Sequence, residues 1–269
     1  MRKVNGTIFA LACAAALTMA GTTVMAADAE VTTLKTVCDL TPHSEILTAA
    51  ADLLEKEGIK IDIVSTTWDA TWNEMLVDGE VDFAYFMHVP AMESIEEEMG
   101  VTLYSMGAIH VEPYACFSDK YEAADAIPDN AKIAIPNDAS NEYRALKVME
   151  DAGWIKLADD ITSLNASTQK IAEYVKPLEI IEIDQANIIP MSADFDAYFV
   201  NVNRALEADI DTTKYLLRES EDSDYGNIIT VTEANKDNEA IKKMVEVLKS
   251  DEIKQYITDN YNGAVIPAK

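Results

Sequence analysis

The chain has 269 residues, 48 acidic and 21 basic, for a net charge of −27, and 49% of it is apolar. So acidic a surface argues against nucleic acid and anionic membrane as partners, and so ordinary an apolar fraction argues against a disordered chain. The length suffices for a buried core and for two lobes.

At the amino end, Arg2 and Lys3 precede an apolar run from Ile8 to Leu17, and Val24-Met25-Ala26 follows. Basic start, short apolar core and small residues at a cut site describe a secretory signal peptide over residues 1–26. Cys13 lies inside that core and not directly after it, so lipid attachment there is not expected. No later stretch is long and apolar enough to span a bilayer, and the mature protein is expected outside the cytoplasmic membrane, in a periplasm or on its outer face. Losing Arg2 and Lys3 leaves the mature chain two units more negative. Its cysteines, Cys38 and Cys116, both sit in apolar strand-like runs and read as two buried thiols, without zinc-type spacing.

Along the chain, strand and helix patterns alternate. Residues 31–38 read as a strand, 44–57 as a helix stopped by Gly58, 59–65 as a strand, 73–77 as a short helix and 81–86 as a strand. A helix at 91–99 ends at Gly100, and 101–106 and 111–118 are strands. Residues 119–130, with Pro128-Asp129-Asn130, look like a lobe boundary. A second alternation has a strand around Ile133, a helix carrying Arg144, a helix near 168–175, and strands at 178–183 and 195–200. A strand at 227–231 leads to helices at 238–248 and 251–261. That order implies parallel sheets with right-handed crossovers.

The helix after Ile133-Ala134-Ile135-Pro136 has apolar residues at Ala145, Val148, Met149 and Ala152, a stop at Gly153, and Asp138 or Ser140 as cap. Arg144 stands in its first turns, where the helix dipole is positive and a cation is disfavoured. An anion bound there, such as a carboxylate, would explain it; pairing with a neighbouring glutamate, or exposure to water, is the alternative.

Several runs occur in an order that resembles one family. They are Pro42-His43-Ser44-Glu45-Ile46-Leu47, Tyr85-Phe86-Met87-His88-Val89-Pro90, His110-Val111-Glu112-Pro113, Ile135-Pro136-Asn137-Asp138 with Ser140-Asn141-Glu142 and Arg144-Ala145-Leu146, Asn201 with Asn203, Tyr225 with Asn227, and Tyr261 with Gly263-Ala264-Val265. Over almost the whole mature chain this is similar to the NlpA family, the methionine-binding receptors of bacterial ABC importers. The resemblance implies an α/β, two-lobed periplasmic substrate-binding fold (type II-like), each lobe a mostly parallel sheet flanked by helices. Lobe I would be 27–112 with 226–269, and lobe II 113–225, joined by crossing strands near 112–117 and 226–231. It implies a membrane permease and ATPase as partners, no cofactor, no metal and no catalysis.

Carried over by resemblance, Arg144 grips the ligand carboxylate, Asn141, Asn201 and Asn227 hydrogen-bond the amino acid backbone, and Phe86 and His88 wall the side-chain pocket. Asn203 accompanies Asn201, although both could instead cap the following helix. This chain departs from the family pattern in having Asp69, beside Trp68, and Ala91 where tyrosines are usual, and Tyr143 where glycine precedes the arginine. Trp68 and Tyr143 refill the pocket, or the pocket is shaped for another ligand, and Asp69 would recruit a cationic or more polar one. The expected ligand is L-methionine, with a different amino acid or short peptide as alternative. Two other classes remain. His43, His88, His110 and Glu112 are zinc ligand types, although the expected register spreads them over separate strand ends. An exported hydrolase is disfavoured, since neither a G-x-S-x-G elbow nor a Cys/His pairing is present.

Overall fold

Two mixed sheets, each covered by helices on both faces, organise the chain. The structure, a computed structural model, describes residues 31–67, 69–220, 223 and 225–269. The expected signal segment 1–26 and Trp68 lie outside the described residues.

The first sheet begins with β1 (Thr32–Cys38), followed by α1 (Glu45–Ala49), α2 (Ala51–Lys56), β2 (Ile59–Ser65), α3 (Trp72–Val77), β3 (Phe83–His88), α4 (Val89–Met99) and β4 (Leu103–Val111). The chain then builds the second sheet from β5 (Ala115–Phe117) and β6 (Ala131–Pro136), with α5 (Ala139–Asp151) after them. A small antiparallel pair, β7 (Ile155–Leu157) and β8 (Ile171–Tyr174), precedes β9 (Leu178–Ile183), α6 (Gln185–Ile188), β10 (Ala197–Val200), α7 (Val202–Glu207) and β11 (Leu217–Arg218). It returns through β12 (Gly226–Thr232), α8 (Glu239–Leu248), α9 (Asp251–Asn260) and β13 (Ile266–Pro267).

The strand orders are β13-β4-β12-β3-β1-β2 and β11-β5-β10-β6-β9. Within them β1, β2 and β3 are mutually parallel, as are β6, β9 and β10. The strands next to the crossings, β12 and β5, run antiparallel to their neighbours, so each sheet is less parallel than expected.

Burial follows position. The inner strands β6 and β12 are largely buried on both faces, whereas the edge strand β2 alternates apolar and polar residues. One face of the first sheet packs Leu34, Phe83 and Ile229 against Leu47 and Leu54 and against Ile241, Met244 and Leu248 of α8. The other packs Val37, Ala84 and Ile228 against Trp72, Leu76 and Met92. In the second sheet, Ile133, Ile135 and Phe199 meet Ala145, Leu146 and Met149 of α5, and Ala134, Tyr198 and Val200 meet Ile188, Val202 and Ala205.

Two expectations need correction. Residues 168–175 are a short turn and strand β8, because the Ile155–Leu157 run offers a ladder partner to a segment of branched and aromatic residues. The strands expected at 101–106 and 111–118 are the long β4 and the short β5. Pro113, which has no N–H to give a ladder, stands between them.

Candidate functional site

A cleft of about 640 Å³ lies where the two sheets face each other, and side chains from both line it. From the first sheet's side come Asp39, His43, Phe86, His88, Glu112 and Asn227, and from the second Asp138, Asn141, Asn201, Asn203 and Arg204.

His88 ends β3 and caps α4, its Nδ1 accepting from the Ala91 N–H at 3.1 Å. That leaves Nε2 as the protonated nitrogen, and it points at Asn141 Oδ1, 3.4 Å away. Burial, and then the Arg144 charge, push its pKa down to about 3, so the ring is neutral at physiological pH. Asn141 lies in the first turn of α5, where Asp138 caps the helix through the Asn141 N–H at 3.0 Å. The same Oδ1 accepts from Asn201 Nδ2 at 3.3 Å, so one amide oxygen gathers donors from both sheets. Phe86 lines the cleft, backed edge-on by Trp72 at 5.2 Å.

Deeper in, Glu112 follows β4 and is 3% exposed. Its Oε1 accepts from His110 Nε2 at 2.8 Å and Asn227 Nδ2 at 3.4 Å, and its Oε2 from the Asn203 N–H at 2.9 Å. Burial alone would raise this carboxyl, but the His110 bond and the Asn203 N–H outweigh it and hold it below the ordinary range. Asn227 reaches this point because β12 pairs it with both His88 and His110. A Cβ at the preceding Gly226 would lie 2.7 Å from Ala108 Cβ, so only glycine allows that approach. Asn227 Oδ1 also meets His43 Nε2 at 3.2 Å, and burial lowers the His43 pKa to about 3. Asn203 Nδ2 donates to Asp39 Oδ2 at 3.0 Å, and Arg204 Nη2 lies 3.3 Å from Asp39 Oδ1.

His43, His110 and Glu112 therefore converge, contrary to the expectation that they would be spread apart; His88 stays separate. Their donor types suit zinc. Here, however, both His110 nitrogens are already engaged, Nδ1 by the Tyr85 hydroxyl at 2.5 Å and Nε2 by Glu112.

Arg144 is 2% exposed and is not among the residues lining the cleft. Its Nε and Nη2 straddle the Glu219 carboxylate at 3.3 and 2.6 Å, and Nη2 also donates to the Glu112 carbonyl at 3.0 Å. The guanidinium is sandwiched between the rings of Tyr114 and Tyr225, at 4.7 and 4.3 Å. Of the two readings of this arginine, pairing with a glutamate describes its position, and Nη1 is the nitrogen these bonds leave over.

Two other expected residues, Tyr143 and Asp69, fall away from the cleft. Tyr143 packs half-buried against the core of the second sheet, because its place on α5 turns it away from Asn141. Asp69 is exposed and accepts from the Thr71 N–H at 2.9 Å, which lowers its pKa; it turns the chain into α3. Ala91 does line the cleft. Asp39, Glu219 and Tyr114 carried no short-range signal, since their partners lie far along the chain, and Arg204 showed only its local pairing with Glu207.

The NlpA lipoprotein family model matches residues 37–269. The methionine-binding lipoprotein MetQ of Bacillus subtilis is 32% identical over 232 residues, 84% of this chain and 85% of that protein. The D-methionine-binding lipoprotein MetQ of Salmonella typhi is 33% identical over 217 residues, 79% of each. Among solved structures, a putative lipoprotein from Ruminococcus gnavus aligns with a TM-score of 0.83 at 40% identity, over 88% of this chain and 99% of that one. A nutrient-binding protein from Burkholderia cenocepacia bound to methionine aligns with a TM-score of 0.83 at 32% identity, over 88% and 100%.

Proposed function

The chain belongs to the NlpA lipoprotein family, and from that premise we propose that it is the substrate-binding protein of an ABC importer, holding a free amino acid in its cleft. L-methionine is the first ligand to test, since it is what relatives are named for and what a structural neighbour holds. The protein would be exported by segment 1–26, work at the outer face of the membrane, and deliver its ligand to a permease driven by an ATPase. Residues 27–112 and 226–269 would form lobe I and residues 113–225 lobe II.

The observation that carries this reading is the convergence on Asn141 Oδ1 of His88 from one sheet and Asn201 from the other. Neutral donors and acceptors from two sides suit a zwitterion, which needs both kinds at close range. A ligand touching both sides favours the closed form and draws the population toward it. Arg144 would take the ligand carboxylate through Nη1. It stands behind the cleft wall beside Tyr225, so this contact needs the wall to rearrange on binding.

A thermal-shift screen against the amino acids and small peptides tests the reading. Ligand at about a hundred times its dissociation constant adds about 2.7 kcal/mol, several degrees in a protein of this size. Arg144→Ala should abolish the shift and Arg144→Lys restore part of it, since lysine lacks the fork. Stabilisation of the Arg144→Ala variant equal to that of the parent removes the arginine from the site. A screen without any stabilising amino acid or peptide removes the function.

A further inference from the structure

The cleft is strongly biased in charge. Among the described residues lining it are six carboxylates, Asp39, Glu97, Glu98, Glu112, Asp138 and Asp184, against one cationic side chain, Arg204. Most of these acids are already spoken for. Glu97 and Glu98 are exposed at the mouth, where water screens them. Asp138 caps α5, and Asp184 caps α6 through the Ala186 N–H at 2.8 Å. Both oxygens of Glu112 accept hydrogen bonds.

Asp39 differs from all of them. It is 4% exposed, and one oxygen is fixed by Asn203 Nδ2. Among the described residues no aligned hydrogen bond reaches the other, Oδ1. Arg204 stands 3.3 Å from it, at ion-pair distance but without hydrogen-bond alignment, and divides its charge with Glu207, also at 3.3 Å. His43, which lines the same cleft, is neutral. Asp39 and Glu112, both buried, thus face one half-buried cation, Arg204, which Glu207 shares, and charge around Asp39 is more negative than positive. A buried acceptor left without an aligned donor is costly, and a charged donor supplied by a ligand would relieve that cost.

We propose that Asp39 is the cation-binding point of the cleft and receives the protonated primary amine of the bound ligand. This rests on the amino acid reading above and deepens it: the ammonium is held by a buried carboxylate at the floor, so the cleft selects against ligands lacking a protonated amine. Asn203 is the positioning residue, holding Asp39 through Oδ2. The carboxyl of Asp39 is pushed up to about 7, chiefly by burial and further by Glu112 and Glu207, with Arg204 opposing. Cys38 adjoins it with a thiol itself pushed up to about 12, so it stays neutral. A ligand ammonium acts on Asp39 in the same direction as Arg204, lowering its pKa, and binding near pH 7 should therefore release protons.

The test is calorimetric titration of the parent and Asp39→Asn with L-methionine and with its desamino analogue, methylthiobutanoate; the best amino acid from the screen and its own analogue substitute if methionine is not the ligand. Asp39→Asn should weaken amino acid binding about 10- to 100-fold, the worth of one charge-assisted hydrogen bond. Affinity for the analogue should stay nearly constant, so the preference for the amine collapses. If the variant keeps the parent's preference, the inference is overturned while the amino acid reading stands. If no amino acid binds the parent, that reading fails and this one with it. Should Asp39→Asn not fold, the parent titrated near pH 7 in two buffers of different ionisation heat decides. Protons released with the amino acid and not with the analogue support Asp39, and their absence overturns it.

Discussion

Two arginines, one buried and one partly exposed, stand on the second sheet's side of the cleft, and they are held in opposite ways. Arg144 has a partner of its own: Glu219 meets its Nε–Nη2 edge and two tyrosine rings cover its faces. Glu219 is itself fixed, its N–H bonded to the Tyr114 carbonyl at 2.8 Å and its Oε2 accepting from the Tyr114 N–H at 3.1 Å. Arg204, with 24% of its side chain exposed, divides its charge between Asp39 and Glu207, both at 3.3 Å. The first arrangement is neutral and rigid; the second leaves a surplus acid in the cleft. Geometry, more than the number of charges, decides which one faces a ligand directly and which meets it only after the cleft wall rearranges.

Removing the clasp is the most severe way to break that contrast. Glu219→Ala leaves a buried guanidinium without its carboxylate, and urea unfolding should show a loss of about 3–5 kcal/mol. A loss below about 1 kcal/mol would mean Arg144 finds another partner and the clasp is not rigid.

Next comes the pH dependence of the looser cluster. Folded Asp39 keeps its proton to about pH 7, whereas unfolded aspartate loses it near 3.8. Between those values the folded state binds more protons, so this group's contribution falls as pH rises through that window. Asp39→Asn should therefore gain stability relative to the parent from about pH 4 to pH 7, by on the order of 3 kcal/mol. His43 and His88, pushed down to about 3, act in the opposite sense: their contribution is lost as pH falls below about 6.5. A variant-minus-parent difference that is flat with pH would show that Asp39 is ionised throughout.

A smaller effect sharpens the geometry. Gly226→Ala forces β12 away from β4 at Ala108, an overpacking cost of about 1–3 kcal/mol, and should displace Asn227 enough to weaken ligand binding. Unchanged binding would detach Asn227 from the site. Smallest of all, Arg204→Met should cost about 1 kcal/mol or less at neutral pH, because the pair is partly solvated and imperfectly aligned. A cost like that of Glu219→Ala would erase the distinction between the two arginines.

Much of the architecture could be read from short-range pattern. The helix of Arg144, with its cap at Asp138, and the helices after β12 announce themselves through periodicity and capping residues. Where a segment's fate depends on a distant partner, the pattern misleads. Residues 168–175 were expected as a helix, and the structure pairs 171–174 with 155–157 instead. The same limit applies to the site. His88, Asn141, Asn201 and Asn227 were expected together and do meet around the cleft, whereas Tyr143 and Asp69 do not reach it.

The sequence by itself determined the alternation of strands and helices, the acidic surface and the place where the Arg144 helix starts, because each depends on residues a few positions apart. It also raised the question of why an arginine should stand in that helix's opening turns. Only the tertiary structure supplied the partner that holds it in place, Glu219 from 75 residues further along the chain. The register of β12 between β3 and β4 likewise gathered Asn227, His110 and Glu112, and the packing of α7 set Arg204 beside Asp39. Such contacts are fixed by strand pairing and burial across the whole chain, so no local stretch of sequence records them.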